Sequence, residues 1–154
     1  TRWHEGGLSD TRFDGYQVDG KMEHTTARGL TLEADEPVEL GGTDRAPAPP
    51  EALLHALGTC IADTANVYAA VMGVTLTHLD VSVAGDLDLH GRFGLGKNVR
   101  PGLQQIRLRI SIAGNADDET LKNIASAGYQ YSIVRDTLAK GIDLLPTIEV
   151  ISQQ

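Results

Sequence analysis

The sequence predicts an α+β fold in which the strands pair mainly antiparallel. Short segments that alternate apolar and polar residues fill the first 48 residues, and two long segments with helical periodicity come later with two long strands between them. The seventeen glycines and six prolines provide the many tight turns that such a fold needs. With 154 residues, of which 41% are hydrophobic, the chain is expected to form one domain over residues 1–154.

The N-terminal third is predicted to form short strands that lead into a helix. The pair Asp19-Gly20 is typical of a hairpin turn, and Leu30–Ala34 alternates as a half-buried strand does. A glycine- and proline-rich loop over residues 41–50 comes next. We expect a helix over Pro50–Met72, because proline is favoured in the first turn of a helix and Gly73 can end one.

The rest of the chain is predicted to hold two strands, a second helix and a last strand. The predicted elements are strands over residues 79–89 and 105–112, a basic glycine-rich loop over 91–102, a helix over 117–140 that is irregular near Gly128, and a strand over 146–151. Both helices are apolar for surface helices. We therefore expect them to pack against a second copy of the chain.

The overall charge excludes some classes of partner. A formal net charge of −8 argues against binding to nucleic acid and to anionic membrane surfaces, which require clustered Lys and Arg. The sequence has no run of about 18 apolar residues, so no membrane span is predicted. Residues 1–5 also lack the apolar core of a signal peptide. A single cysteine fits a reducing cytoplasm.

Cys60 is the chain's one thiol, so it cannot form an internal disulfide. It can be an inert core residue, a metal ligand or a nucleophile, and a nucleophile needs a lowered pKa. Cys60 lies about three turns into the predicted helix, where the helix dipole helps little. An arginine from elsewhere is therefore expected to activate it, and Arg28, Arg45 and Arg135 are the candidates.

Glu51 precedes Cys60 by nine positions (60 − 51). On a straight helix with about 3.6 residues per turn, the two side chains are about half a turn out of phase. Glu51 can hold an arginine that contacts the sulfur, or its charge can simply favour the start of the helix.

Other constellations carry little chemistry. The five histidines lack metal-ligand spacing, so no metal is expected. The glycines of residues 91–96 join two strands instead of opening a helix, which argues against a phosphate or nucleotide cofactor. Ser132 has no adjacent histidine, so a serine triad is not supported.

Two motifs carry a resemblance to a known family. The stretch Asp35–Asp44, followed by Pro49–Leu54 and Ala56–Cys60, resembles the first motif of the OsmC/Ohr family of osmotically inducible and organic hydroperoxide resistance proteins. The run Ser132–Leu138 looks like the second motif, and the order of elements fits across nearly the whole chain.

The resemblance implies an intertwined homodimer with two long central helices buried between the subunits and a site at their interface. It also implies a cytoplasmic thiol peroxidase in which a thiolate attacks an organic hydroperoxide, becomes a sulfenic acid and condenses with a second cysteine, before an external thiol reductant restores the enzyme. Cys60 matches the attacking cysteine.

Three departures from the family pattern change this expectation. Ser132 occupies the position of the second cysteine, which excludes a two-cysteine cycle. Pro50 stands where the best-known peroxidases have their acidic residue, whereas Glu51 matches more general OsmC-like members. No arginine lies near Gly20, where the family pattern has one, and Arg28 is the nearest substitute.

The predicted function is reduction of organic hydroperoxides through Cys60, with Glu51 and Arg28 tuning the thiolate and a thiol from outside the chain completing the cycle. The alternative is a non-catalytic OsmC-like protein that binds a small apolar ligand at the dimer interface. In that case Cys60 would only line the pocket.

Overall fold

The computed structural model of the protein describes residues 1–13, 15–23 and 29–148. The chain divides into two compact units, one formed by Thr1–His55 with Ala84–Ile106 and the other by Ala56–Val83 with Arg107–Gln154. The prediction of a single domain over residues 1–154 stays a prediction.

The first unit begins with the five short strands β1 (Arg2–Glu5), β2 (Leu8–Arg12), β3 (Tyr16–Val18), β4 (Lys21–Glu23) and β5 (Thr31–Ala34). Strands β1, β2 and β5 form one antiparallel sheet with β2 in the centre, and β3 pairs with β4 in a hairpin. Asp19 and Gly20 both have positive φ, 48° and 75°, as the tight turn of this hairpin requires. The predicted hairpin is confirmed. The strand predicted at residues 30–34 is confirmed from Thr31, but it is exposed over residues 31–33 and not half-buried as expected.

The loop after β5 is organised around the buried carboxylate of Asp35. This carboxylate accepts hydrogen bonds from the Thr43 hydroxyl at 2.6 Å, the Thr43 amide at 3.0 Å and the Arg45 amide at 3.3 Å. The Thr43 hydroxyl is the main cause that lowers the pKa of Asp35 to about 2, against the opposing effect of burial. Next to it, the nearly buried Glu36 forms a 2.6 Å ion pair with Arg92. The loop is thus held in a fixed path from β5 to the next helix.

Helix α1 (Pro49–Val71) confirms the predicted helix to within one residue at each end. At its start, the Glu51 side chain accepts a hydrogen bond from the Ala48 amide at 2.9 Å, which satisfies one of the amides that a helix start leaves unpaired. At its end, the amide of Gly73, which has a φ of 69°, bonds the carbonyl of Ala70, and the next amide bonds that of Ala69. This pair of bonds closes a helix without side-chain help.

Two long strands follow, β6 (Leu76–Asp86) and β7 (Gln105–Gly114), joined by the short helix α2 (Leu89–Arg92). The strands pair with each other, and bonds from Gln104 to Asp86 and from Asn115 to Thr75 at the two ends fit an antiparallel ladder. The predicted strand over residues 79–89 extends too far, because the Asp88 side chain accepts the His90 amide and starts α2. The predicted loop over 91–102 is therefore helical at its beginning.

The predicted helix over residues 117–140 is wrong in one respect, because it is two helices. Helix α3 (Asp118–Gln130) ends at Tyr131, and helix α4 (Ile133–Lys140) starts after Ser132. Ser132 has an extended backbone (φ −65°, ψ 123°), and its hydroxyl oxygen accepts the Arg135 amide at 3.2 Å, so it acts as a helix N-cap. The break at Ser132 lies four residues after Gly128, the residue near which the sequence predicts an irregularity.

The C-terminal segment over residues 141–148 has no regular secondary structure. The strand predicted over residues 146–151 is therefore wrong over 146–148, and its last three residues lie outside the described residues.

The core of the second unit lies where α1 meets α3. Ala65 and Ala69 of α1 pack with Ile124 of α3. They are surrounded by partly buried residues, namely Val74 shortly before β6 and the strand residues Leu76, Leu79 and Ile112. Gly128 of α3 lies against Ile61 and Ala65 with no room for a side chain. The two helices therefore approach closely beside Cys60, which precedes Ile61. Within the described ranges, no helix is both long and apolar enough to span a membrane.

Candidate thiol site

Cys60 lies in the middle of α1 with a partly buried, free thiol. Thr64 and Tyr68 follow it on the same helix at intervals of four residues, so the three side chains share one face of α1. The Thr64 hydroxyl donates to the carbonyl oxygen of Cys60 at 2.7 Å. The thiol is thus flanked along the helix by a hydroxyl and then by an aromatic ring.

The junction between α3 and α4 packs across this face. The ring of Tyr131 stacks on that of Tyr68, with centroids 5.4 Å apart and planes 10° from parallel. Ser132, the next residue, is completely buried. The stacked rings fix the end of α3 on α1, and the chain then turns into α4 with its first residues directed at the sulfur.

The surroundings of Cys60 favour the thiolate. Burial by itself raises the pKa of the thiol, but hydrogen bonds from the Ser132 hydroxyl and from the backbone amides of Val134 and Ile133 lower it. Together these donors bring the pKa below the ordinary value of a cysteine. The smallest contribution comes from Thr64, whose one hydroxyl hydrogen is already directed at a carbonyl oxygen.

The positive potential at the Cys60 sulfur comes from the start of helix α4. The amides of Ile133 and Val134 belong to the first turn of α4, where backbone N–H groups lack partners within the helix. Thiolates are stabilised at such positions. The start of α1 is too far from Cys60 to have this effect, which is why an arginine is expected from the sequence alone.

Ser132 contacts both the first turn of α4 and the thiol of Cys60. Its hydroxyl oxygen accepts the Arg135 amide, which leaves its own hydrogen for the sulfur of Cys60. The residue at the position of the second family cysteine is therefore in contact with the thiol. It acts there as a hydrogen-bond donor, and it cannot form a disulfide.

Glu51 belongs to the first unit, and its hydrogen bond to the Ala48 amide is the helix-start role that the sequence analysis left open. It also lines a cavity of about 510 Å³ together with Asp44, Arg45, Ala46, Pro47 and His55. No described contact joins Glu51 to a group that acts on the Cys60 thiol. Its predicted role at the thiol remains a prediction.

The three candidate arginines differ in what the structure says of them. Arg28 lies outside the described residues. Arg45 forms a 3.1 Å ion pair with Glu33, and Arg135 stacks over the ring of Tyr129. Among the described residues, the groups that lower the pKa of Cys60 include no arginine.

The residues that the sequence analysis missed are Thr64, Ile133 and Val134. Thr64 could have been found from its spacing of four residues after Cys60 on a predicted helix. The amides of Ile133 and Val134 carry no side-chain signal. They could have been found only by interpreting Ser132 as an N-cap.

The described part of the chain holds no group of three or more His, Cys, Asp or Glu side chains arranged to bind a metal ion. The described groups around Cys60 are hydrogen-bond donors at the start of α4, which lower the pKa of the thiol.

The fold described above is that of a known family. A family model described as OsmC-like protein matches residues 42–145, more than half of the chain, and the chain belongs to that family. The matched region includes Cys60 and Ser132. No curated protein sequence matches the chain.

Solved structures share the fold at low sequence identity. An OsmC-like protein from Mycoplasma pneumoniae is 20% identical with a TM-score of 0.62, and the match covers 90% of this chain and 89% of that one. An organic hydroperoxide resistance protein OsmC from Legionella pneumophila is 18% identical with a TM-score of 0.58, covering 88% and 91%. An organic hydroperoxide resistance protein from Elizabethkingia anophelis is 15% identical with a TM-score of 0.58, covering 92% and 93%.

Proposed function

We propose that this protein reduces organic hydroperoxides with Cys60 as the only redox residue of the chain, as part of oxidative stress defence. The observation that carries the proposal is the set of donors around the sulfur, from Ser132 and the first turn of α4, which lowers the pKa of Cys60. A thiolate is the reactive form toward peroxides. The hydroperoxide resistance proteins from Legionella pneumophila and Elizabethkingia anophelis, which share the fold, support the choice of substrate class.

In the first step the thiolate of Cys60 attacks the distal oxygen of the hydroperoxide. A sulfur–oxygen bond forms, the oxygen–oxygen bond breaks, and the alkoxide leaves and takes up a proton to become the alcohol. Cys60 is oxidised to the sulfenic acid. The Ser132 hydroxyl and the amides of Ile133 and Val134 stabilise the attacking thiolate.

The second half of the cycle requires thiols from outside the chain, because the sequence contains one cysteine. One external thiol attacks the sulfenic acid, which forms a mixed disulfide with Cys60 and releases water. A second thiol, or the second sulfur of a dithiol, then attacks the mixed disulfide and restores the Cys60 thiol. One hydroperoxide and two thiols thus yield one alcohol, one disulfide and one water.

We also propose that the protein forms a homodimer in the cytoplasm. Large apolar side chains of the second unit are strongly exposed in the single chain, including Val71 at 80% and Ile133 at 78%. Apolar patches of this kind are typical of surfaces that a partner covers. A reducing cytoplasm would keep the single thiol reduced and supply the external reductant.

Glu51 and Arg28 are retained in the proposal as residues that tune the thiolate, with Glu51 orienting an arginine in the assembled site. The support for this role is that Glu51 matches the acidic residue of OsmC-like members, while Arg28 is the nearest substitute for the family's arginine. Their test is separate from that of Cys60. We expect Glu51→Gln to lower the rate of peroxide reduction. Thermal melting of Glu51→Ala would separately measure how much Glu51 stabilises the start of α1.

The experiment is a peroxidase assay with cumene hydroperoxide and dithiothreitol on the native protein, Cys60→Ser and Thr59→Ser. Thr59 is the exposed neighbour of Cys60 on α1, which makes Thr59→Ser a matched control. We expect activity in the native protein and the control, and none above background in Cys60→Ser. Equal rates in all three proteins would end the proposal.

The second candidate, a non-catalytic protein that binds a small apolar ligand at a dimer interface, is favoured by one observation. Among the described residues, no arginine acts on Cys60. Native mass spectrometry would detect a co-purified apolar ligand, and absence of peroxidase activity together with such a ligand would select this function.

A further inference from the structure

The second unit contains a cavity of about 610 Å³ that the proposed peroxide chemistry does not use. Its lining residues are Ile110, Ala125, Ser126, Tyr129, Gln130 and Arg135. Cys60 is not among the described residues that line it. The volume lies in the range of roughly 300–1,000 Å³ that is usual for small-molecule sites.

Arg135 is the cation of this cavity. Its guanidinium carbon lies 4.6 Å from the centre of the Tyr129 ring, so the ring covers one face of the charged group. The Nε atom is buried and has no hydrogen-bond partner among the described residues. Buried polar groups are almost always paired, so the unpaired Nε–H indicates that the guanidinium lacks an acceptor. Because Nε itself is inaccessible, only the terminal N–H groups of Arg135 can reach a ligand in the cavity.

Acidic side chains of the same region do not supply that acceptor. The neighbouring Asp136 forms a 2.7 Å ion pair with Lys140, one turn further along α4. Among the described residues that line the cavity, none is a carboxylate. The charge of Arg135 therefore faces this space without a neutralising partner in the described lining.

The walls also indicate the shape of a ligand. Ile110 and Ala125 provide apolar surface, and Ser126 and Gln130 provide a hydroxyl and an amide that can orient a polar group. The two terminal N–H groups of a guanidinium match a carboxylate with two parallel hydrogen bonds.

We propose that this cavity binds a small organic carboxylate, held by the terminal N–H groups of Arg135 with its apolar part against Ile110 and Ala125. The ligand is bound and not transformed, so the proposal goes beyond the peroxide chemistry at Cys60 and stands or falls separately from it. Tyr129 covers one face of the guanidinium and helps to hold it in place.

The test is isothermal titration of the native protein with sodium benzoate and sodium hexanoate, and with benzamide as a neutral analogue of benzoate. We expect at least one carboxylate to bind with one site per chain, and benzamide to bind far more weakly. Arg135→Gln should weaken carboxylate binding about tenfold or more, because a charge-assisted pair of hydrogen bonds is lost. Arg135→Lys keeps the charge but loses the planar pair of donors. Its affinity for carboxylates should therefore lie between those of the native protein and of Arg135→Gln.

Arg109→Gln is the matched control. Arg109 is exposed on β7, and its substitution removes the same charge from the same unit. It should bind benzoate as the native protein does. Equal weakening in Arg109→Gln, or no binding of either carboxylate at millimolar concentration, would overturn the proposal.

Light scattering on the same samples tests a rival acceptor, a carboxylate of a second copy of the chain. If Arg135→Gln abolishes dimerisation and neither carboxylate binds the native dimer, the guanidinium belongs to a subunit interface and the ligand proposal is wrong. Circular dichroism melting of each variant separates these outcomes from unfolding.

Discussion

Gly128 of α3 lies so close to Ala65 of α1 that a Cβ atom added at residue 128 would come within 2.7 Å of the Ala65 Cβ. The same atom would lie 2.9 Å from the backbone carbonyl oxygen of Ile61. Contacts this short force at least one helix to move. The absence of a side chain at residue 128 therefore sets the distance between the two helices next to the thiol.

Gly128→Ala is expected to destabilise the protein by about 1–3 kcal/mol, as overpacking of a tight contact usually does. Because alanine has the higher helix propensity, a stabilising effect would show that the contact is not tight. Urea denaturation gives the free energy of unfolding. Lys122→Ala, at an exposed position on the same helix, serves as the control and should change it by less than about 0.5 kcal/mol.

The pH dependence of alkylation tests the donors around Cys60. The native thiol should react with iodoacetamide at a midpoint below that of an ordinary cysteine, because its pKa is lowered. Ser132→Ala removes a donor to the sulfur, so the midpoint should rise. Ser132→Thr keeps both the hydroxyl hydrogen and the helix cap and should stay near the native value. An unchanged midpoint in Ser132→Ala would contradict the role of the hydroxyl.

Ser132→Cys should restore a disulfide pair. The Ser132 hydroxyl lies within hydrogen-bonding reach of the Cys60 sulfur, so a thiol at residue 132 would be close enough to condense with an oxidised Cys60. After treatment with diamide, intact-mass measurement should show the loss of two hydrogens and thiol titration should show no free thiol. Ser126→Cys, exposed on α3, should keep both thiols within the monomer. Two free thiols in Ser132→Cys would contradict the geometry.

Thr43→Val tests the carboxylate that organises the loop before α1. In the folded protein the pKa of Asp35 is lowered to about 2 from an ordinary value of 3.8, chiefly by the Thr43 hydroxyl. A carboxylate whose pKa is lowered by folding stabilises the fold at pH values above its ordinary pKa. This contribution is lost as the pH falls from about 4 to about 2. Thr43→Val should therefore be less stable than the native protein at pH 6, and the gap should narrow toward pH 2. Urea denaturation across this range is the measurement, and a gap independent of pH would argue against Asp35.

The sequence predicted α1 closely because both of its ends carry strong signals. Two prolines stand at its first turn, and Gly73 adopts the positive φ that ends it. The Asp19-Gly20 turn was equally clear, because few residues tolerate positive φ at two successive positions. Where a local backbone requirement selects the residue type, the local sequence suffices.

The break between α3 and α4 was missed for the opposite reason. The apolar periodicity runs through residues 117–140, and Ser132 inside it resembles any polar residue on a helix. Its role depends on burial against α1, which is a contact between segments distant in sequence. The donors to Cys60 are backbone amides, which every residue has, so no side-chain pattern marks them. The role of Arg28 stays a prediction because Arg28 lies outside the described residues.

The break has a consequence for which changes the thiol site can tolerate. In one continuous helix, the amides of residues 133 and 134 would bond the carbonyls of residues 129 and 130, four positions earlier. Ending α3 releases these amides, so two of the donors at the sulfur exist because backbone bonds are absent and not because particular side chains are present. Many residues could therefore replace Ile133 and Val134 without changing the chemistry at Cys60. A proline at either position is different, because it would preserve the start of α4 while deleting a donor.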